Sequence, residues 1–368
     1  MKILFIGHDA FRAGAELLLL QFLQWIKTKR KDIEFEILLG DGGALLDDYA
    51  EVGRVHIFAE FKNTGRISRK IKRKLFFRSL HKKNFDLIYC NSIVNGAILN
   101  DLKILKIPII THVHELDYWI NKTGEWNLEC VKSTTKRYIV ASEAVRNCLV
   151  KNYSFDNRFI DTVNEFTLFD KLGLEKQSLK SKLNLPNEAI IVGASGAEIW
   201  RKGKDLFIPL AIDILARKIN KNIHFVWIGG DPNYELKNDL EKSGASDRIH
   251  FISHLPNANQ YFHEFTVFSM LSRDDPFPVV NLEAAGLGVP IVCFENSGGT
   301  PELISEGCGF VVPYANIHAF ADKVCLLIED TNLRNNISKK SIEIIRTKYD
   351  IDIIGNKIID VINNVLKN

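Results

Sequence analysis

The sequence predicts an α/β protein made of two doubly wound parallel sheets, and three observations lead there. Short apolar runs alternate with longer stretches of helical periodicity along the whole chain. The alternation falls into two series, one on each side of a polar segment. The length of 368 residues suits two domains of ordinary size, each able to bury a core.

The first series places strands at Lys2–Gly7, Ile33–Leu39, Leu87–Cys90, Ile109–Val113 and Tyr138–Ala141. The second places them at Ile190–Ala194, His224–Ile228, Ile249–Ile252, Val267–Leu271 and Ile291–Phe294. Residues 1–170 are read as the first domain, 171–187 as a linker ending in Leu185-Pro186-Asn187, and 188–350 as the second domain. The closing helix, residues 351–368, gathers Ile354, Ile358, Val361 and Val365 on one face and so has a core to join. Two such domains imply a cleft, because these sheets bind ligands beyond the carboxyl ends of their strands.

Composition narrows the class. An apolar share of 46% with 25% charged residues is that of a soluble globular protein. The net charge of +3 gives no global attraction to nucleic acid. Cys90, Cys130, Cys148, Cys293, Cys308 and Cys325 form no Cys-x-x-Cys pair, and several lie in apolar runs, as buried thiols of a reducing cytoplasm do. The start, Met1 to Gly7, lacks the sustained apolar core and cleavage site of a signal peptide. No run approaches the roughly 18–20 apolar residues of a spanning helix. A soluble, cytoplasmic protein is expected.

Four stretches carry chemistry. After the first strand comes Gly7-His8-Asp9-Ala10-Phe11-Arg12-Ala13-Gly14, with a helix from about Ala15. Gly14 lets the backbone approach a ligand, or it merely serves a turn; the loop lacks the full G-x-G-x-x-G spacing of dinucleotide binders. Thr111-His112-Val113-His114-Glu115 follows another strand, and alternation puts His112 and His114 on one face without separating them. A metal site, a catalytic dyad, a polar contact in the cleft and a structural histidine all stay open; a metal would need a third ligand that nothing nearby supplies.

The second domain opens with Gly193-Ala194-Ser195-Gly196 and then Arg201-Lys202-Gly203, two cations suited to a diphosphate or simply to solvent. The most informative stretch runs from Ser272 to Pro290. It reads as a strand end, a loop and a helix start, with Asp275 and Glu283 eight positions apart. Pro278 suits the first helical position, and the free amides of Val279 and Val280 then face a phosphate at the positive end of the helix. Acid, amide cluster and acid together suit a nucleotide sugar.

The segment from Lys62 to Lys83 holds ten Lys or Arg and no acid. Within it Ile67, Ile71, Leu75, Phe76, Phe77 and Leu80 recur at helical spacing. The expected helix, residues 66–83, fits an anionic membrane surface or a core-packed helix with a solvated outer face. Nucleic acid is disfavoured, since no exposed pattern of stacking aromatics is interleaved with the cations.

Taken together, these motifs resemble the family-4 retaining glycosyltransferases, whose GT-B fold sets two Rossmann-like domains facing across a cleft. The likeness is strongest in Asp275-x7-Glu283 with its Glu-Ala-x-x-x-Gly-x-Pro continuation. It extends through Ser297-Gly298-Gly299-Thr300-Pro301-Glu302, Gly307-Cys308-Gly309, Val140-Ala141-Ser142, Arg201-Lys202-Gly203 and Gly14-Ala15-Glu16. The resemblance implies that Asp275 contacts donor-sugar hydroxyls and that Glu283 binds the nucleotide's ribose. It implies backbone donors from Gly14 and from Phe277, Pro278, Val279 and Val280, with charge from Arg201 and Lys202. His114 would stand by the donor sugar, and the base would rest near Ser253 and His254. The last helix would return to the first domain.

This chain departs from the family pattern in having Asp275 where many members have Glu, Ala197 in place of an arginine, and Ala13 in place of a glycine. The expected reaction is metal-independent hexosyl transfer, with retention, from a UDP- or GDP-sugar to a hydroxyl of a glycan or lipid-linked acceptor. No cofactor is expected. Cell-surface polysaccharide synthesis on the inner face of the membrane is the expected setting. A nucleotide-sugar epimerase of the same fold would need paired acid and base groups beside one sugar carbon; a non-catalytic sugar-nucleotide scaffold would lack turnover.

Overall fold

A computed structural model describes residues 1–61, 66–217, 219 and 222–367, those at 60, 61, 66–70 and 74 as backbone alone. The chain divides into two compact units, one of residues 1–165 with 351–368 and one of residues 166–350.

The first unit is a seven-stranded sheet of β1 (Lys2–Gly7), β2 (Glu34–Leu39), β3 (Arg54–Ile57), β4 (Leu87–Asn91), β5 (Ile109–Val113), β6 (Arg137–Val140) and β7 (Ile160–Thr162). All pairs are parallel, in the order β3-β2-β1-β4-β5-β6-β7. The second unit orders β10 (Ile249–Ile252), β9 (Ile223–Ile228), β8 (Ile190–Ser195), β11 (Phe265–Met270), β12 (Ile291–Phe294) and β13 (Gly309–Val312) in one parallel sheet. The central strands are buried along their length because helices cover both faces, which is why they read as unbroken apolar runs. Each sheet reverses its order once, between β1 and β4 and between β8 and β11, and ligands of such sheets gather at that point.

Strands β3, β7 and β13 were not anticipated from the sequence. They have four, three and four residues and lie at or near the outer positions of their sheets, too short to show a period. The stretch 171–187 runs along the second unit: Gln177 N–H donates to the Gln260 carbonyl at 3.1 Å, and Glu264 accepts from Ser178 Oγ at 3.0 Å and the Lys180 amide at 2.8 Å. The closing helix Ile351–Lys367 lies in the first unit and buries Ile354, Ile358, Ile359 and Ile362. Trp25 Nε1 donates to Asp352 Oδ1 at 2.6 Å at its first turn.

Helix Arg66–His81 has two apolar sides. Phe77 and Leu80 are buried, whereas Ile71 and Leu75 are 55% and 57% exposed. Lys62 and the side chain of Ile67, counted in the basic stretch, lie outside the described residues. All six cysteines are buried free thiols. Among the described residues no helix is long and apolar enough to cross a membrane.

Candidate active site

The second unit brings Arg201, Lys202 and Asp275 together at its switch point. The loop after β8 carries the cations, and the loop after β11 carries the acid. Backbone geometry locks the loops to each other: Arg273 N–H donates to the Arg201 carbonyl at 2.7 Å. Gly203 makes that approach possible, since a Cβ there would lie 2.0 Å from the Leu271 carbonyl oxygen and its φ is +71°. Gly298, with φ +112°, does the same on the other side, where a Cβ would meet the Asp275 carbonyl oxygen at 1.8 Å. Asp275 N–H then donates to Ser297 O at 2.9 Å, and Gly299 N–H to Asp275 O at 3.0 Å.

Both oxygens of the buried Asp275 carboxylate are taken. Lys202 Nζ reaches Oδ2 at 2.6 Å, Ser272 Oγ donates to Oδ2 at 3.0 Å, and Arg201 Nη1 reaches Oδ1 at 3.2 Å. Burial alone would raise the Asp275 pKa, but Lys202 and then Arg201 outweigh it and hold the carboxyl below its usual range. Burial is also the largest influence on Lys202 and pulls its ammonium down; Asp275 opposes the fall and Arg201 adds to it. Arg201 Nε is buried with no hydrogen-bond partner among the described residues. Two cations thus face one carboxylate, with a donor to spare, an arrangement suited to a ligand of negative charge.

Helix Val279–Gly286 begins beside Asp275 in sequence. Pro278 is its cap rather than its first residue: ψ is 124°, so its backbone is still extended while φ of −69° already matches a helix. Val279 and Val280 are therefore the first two helical residues, whose N–H groups have no carbonyl within the helix to reach. Phe277 turns inward and stacks on Tyr349 with centroids 5.7 Å apart, leaving only its backbone for a ligand.

Glu283 accepts from Asn259 Nδ2 at 2.6 Å, and burial pushes its carboxyl up to about 7. Ser253 and His254 are exposed after β10, with Ser253 Oγ donating to Asp231 Oδ1 at 2.7 Å. Asn259 and Asp231 had no pattern in the sequence to single them out.

The first unit collects a different set. Gly14 is the exposed first residue of helix Gly14–Lys29, with nothing within 4 Å of where a Cβ would stand. His114, after β5, lies between two acceptors: Nδ1 is 2.6 Å from Glu165 Oε1 and Nε2 is 2.8 Å from Asn91 Oδ1. Burial alone would lower the His114 pKa; Glu165, then Glu115 and Glu16, outweigh it and raise it above the ordinary imidazole value. Glu115 accepts the His114 backbone N–H at 2.8 Å and the Ser92 hydroxyl. Ser92 holds φ of +99°, a backbone few residues other than glycine adopt, and such strain gathers at functional loops.

The structure separates the two histidines. His112 is 3% exposed on β5, hydrogen-bonded through Nδ1 to the Tyr89 hydroxyl at 2.6 Å, and burial drives its pKa far down. The third group absent from the local sequence is Glu165, whose oxygen lies with the ring nitrogens of His112 and His114 within 4.8 Å. The ring centroids lie 4.0 Å apart with the planes tilted by 39°, and both nitrogens of His114 already have partners within the protein.

Comparison with known proteins agrees with this architecture. Residues 14–164 match the family described as Glycosyltransferase Family 4, and residues 175–344 match glycosyl transferases group 1. The chain belongs to these group 1, family 4 glycosyltransferases, and its fold is GT-B. Among its relatives, the O-antigen biosynthesis glycosyltransferase WclY of Escherichia coli is 23% identical over 305 residues, 79% of each chain. The N,N'-diacetylbacillosaminyl-diphospho-undecaprenol alpha-1,3-N-acetylgalactosaminyltransferase of Campylobacter jejuni is 27% identical over 196 residues, 53% of this chain and 50% of its own. The chain thus spans about half the length of some curated relatives and more of others. The crystal structure of Anabaena HepE with UDP-glucose superposes with a TM-score of 0.82 at 20% identity, covering 99% of this chain and 100% of that one.

Proposed function

We propose that this chain is a retaining, metal-independent hexosyltransferase that uses a UDP- or GDP-sugar and acts in cell-surface polysaccharide synthesis. The observation that carries the reading is the half-buried Arg201 and Lys202 around the buried Asp275, beside the start of helix Val279–Gly286. Arg201, Lys202 and the Val279 and Val280 amides would hold the diphosphate, and Glu283 the ribose. Ser253 and His254 would lie by the base. Asp275 orients the two cations and stands where donor-sugar hydroxyls are expected. The family resemblance implies that Gly14 would offer backbone to the donor and that His114 would stand by its sugar.

In the proposed step the bond from the anomeric carbon to the diphosphate oxygen breaks, and the acceptor oxygen bonds on the same face. The acceptor proton passes to the leaving phosphate, and no side chain is assigned as nucleophile. The leaving group gains negative charge, which preorganised cations and amides stabilise; one such donor is worth roughly 3–4 kcal/mol of barrier. Because side-chain cations supply that charge, turnover is expected to persist in excess chelator.

The acceptor is proposed to be a glycan or a lipid-linked saccharide. The Campylobacter relative, by its name, acts on a diphospho-undecaprenol-linked sugar. Here Ile71 and Leu75 stand exposed on a helix that also exposes Lys72 and Arg78, the composition of a segment lying on an anionic membrane. Co-sedimentation with phosphatidylglycerol vesicles but not phosphatidylcholine vesicles is the expected result, lost in the double variant Ile71→Glu, Leu75→Glu. Binding to neither vesicle would remove the membrane from the reading, and equal binding to both would remove its preference for anionic lipid.

The primary test is a thermal-shift titration with UDP, GDP and their sugar conjugates. A ligand at 100 times its dissociation constant stabilises a fold by about 2.7 kcal/mol. A shift with one base, absent in Glu283→Ala, supports the site; product with the anomeric configuration of the donor supports transfer with retention. Isotope exchange at a sugar carbon without acceptor would favour an epimerase, and binding without turnover a scaffold.

A further inference from the structure

His114 is bonded at both ring nitrogens, and the character of its partners decides what it can do. Asn91 has its amide orientation set, because Nδ2 donates to the Ala15 carbonyl at 3.0 Å. Its Oδ1 therefore faces His114 Nε2 and can only accept, so Nε2 carries a hydrogen. On the other side Nδ1 meets Glu165 Oε1 at 2.6 Å, a distance typical of a charge-assisted bond. Glu165 is 4% exposed, so no bulk water competes for that bond. Against an ionised Glu165, a neutral imidazole with its one N–H and one lone pair leaves one of these two contacts unsatisfied; an imidazolium satisfies both.

We propose that Glu165 is a positioning residue that holds His114 as a doubly protonated imidazolium through neutral pH, so that His114 donates hydrogen bonds and never acts as a base. The surroundings favour that state. Glu115 lies in the same loop and accepts the His114 amide, and Glu16 faces the ring from helix Gly14–Lys29. His112 on β5 lies tilted against it as a neutral ring, its Nδ1 held by Tyr89 from β4, with the buried thiol of Cys90 near Tyr89. His112, which would oppose the charge, is thus kept uncharged itself.

The consequence is a restriction on chemistry. A substrate oxygen that replaces Asn91 at Nε2 receives a hydrogen bond and gives up no proton, so His114 serves hydroxyl or phosphate oxygens as acceptors. The acceptor proton in the transfer must go elsewhere. This consequence rests on the proposed transferase activity; the protonation state does not.

The test is a pH titration of the histidine ring nitrogens by NMR in the full chain, with His114→Gln to mark the resonance. In the wild type both ring nitrogens of His114 are expected to keep their protons past pH 7. In Glu165→Gln the midpoint is expected to fall by roughly 1–3 units, and Glu165→Asp to restore part of the shift. A purely structural role for Glu165 would leave that midpoint where it was. A wild-type His114 that titrates at or below the usual 6.5 overturns the proposal with no variant needed, as does an unmoved midpoint in a folded Glu165→Gln. The titration needs no substrate, so absence of nucleotide binding would count against the transferase reading alone.

Discussion

The two units bury opposite charges in inverted arrangements, and the inversion separates what each can do. In the second unit one carboxylate, Asp275, is held by two cations; in the first one cation, His114, is held by one carboxylate. Asp275 opposes the fall that burial imposes on the Lys202 ammonium, and a guanidinium does not shed its proton. An imidazole does, at small cost. The Asp275 cluster is therefore charged by composition, whereas the His114 cluster is charged only while Glu165 is present. A permanent field suits a ligand that is always anionic, such as a diphosphate. A conditional charge suits a group whose hydrogen-bonding sense must be set.

The comparison breaks most visibly at Asp275. Replacing it with Asn leaves the half-buried Lys202 and Arg201 without their partner, a loss of about 3–5 kcal/mol in urea denaturation at pH 7. The Asp275 carboxyl is held below its usual range, so its contribution is present above that range and lost as pH falls through the folded value. The gap between wild type and Asp275→Asn should accordingly be flat from pH 5 to 8. A gap under about 1 kcal/mol would show that the cations find other partners.

Glu165→Gln should cost less, about 1–3 kcal/mol, because His114 can discharge. The His114 pKa is raised, so its contribution is complete below the unfolded value of about 6.5 and disappears as pH climbs through the folded one. Denaturation of the variant should therefore lie furthest from wild type near pH 6 and approach it in alkali. A pH-independent gap would put the two clusters in the same class.

Glu283 sharpens the contrast within one unit, since it is an acid with an amide partner and, among the described residues, no cation beside it. Its carboxyl sits at about 7, raised by burial. A raised carboxyl costs the fold stability as pH rises from the unfolded value to the folded one, and Glu283→Gln should remove that slope. Ribose hydroxyls donate best to the ionised form. Calorimetry should show nucleotide affinity climbing toward pH 7, by at most about tenfold per unit, and then levelling. The Gln variant should bind weakly at every pH; a wild-type affinity independent of pH between 6 and 8 would contradict the assignment of Glu283 to the ribose.

The same contrast explains what was legible in the sequence. The second unit's site comes from two short segments whose glycines, cations and acids sit at telling spacing, and Gly203 and Gly298 prove to be where backbones meet. Side-chain partnership was not legible there: the sequence does not show that Lys202, Ser272 and Arg201 hold both oxygens of Asp275. The first unit was harder. Glu165 stands 51 residues from His114 and reaches it only because β7 follows β6 along the same sheet edge. Nothing in Val163-Asn164-Glu165 marks an acid with a partner. His112 and His114 share a face by alternation, and only the depth of burial and the Asn91 contact tell them apart.

The smallest expected effect on stability belongs to Gly14, and it probes the first unit without touching a charge. Glycine is not required there by backbone: the residue begins a helix, has no positive φ, and an added Cβ meets nothing within 4 Å. Alanine at such a position should stabilise the fold by about 0.4–1 kcal/mol, mainly by restricting the unfolded chain. The same methyl group would stand between the helix amides and any ligand that approaches the backbone. Turnover is therefore expected to fall by about tenfold, the equivalent of roughly 1.4 kcal/mol, while melting temperature rises. A stabilised Gly14→Ala enzyme with unchanged kcat and KM would mean that no substrate comes close to this helix start. The first unit would then contribute through the His114 cluster and not through its opening loop.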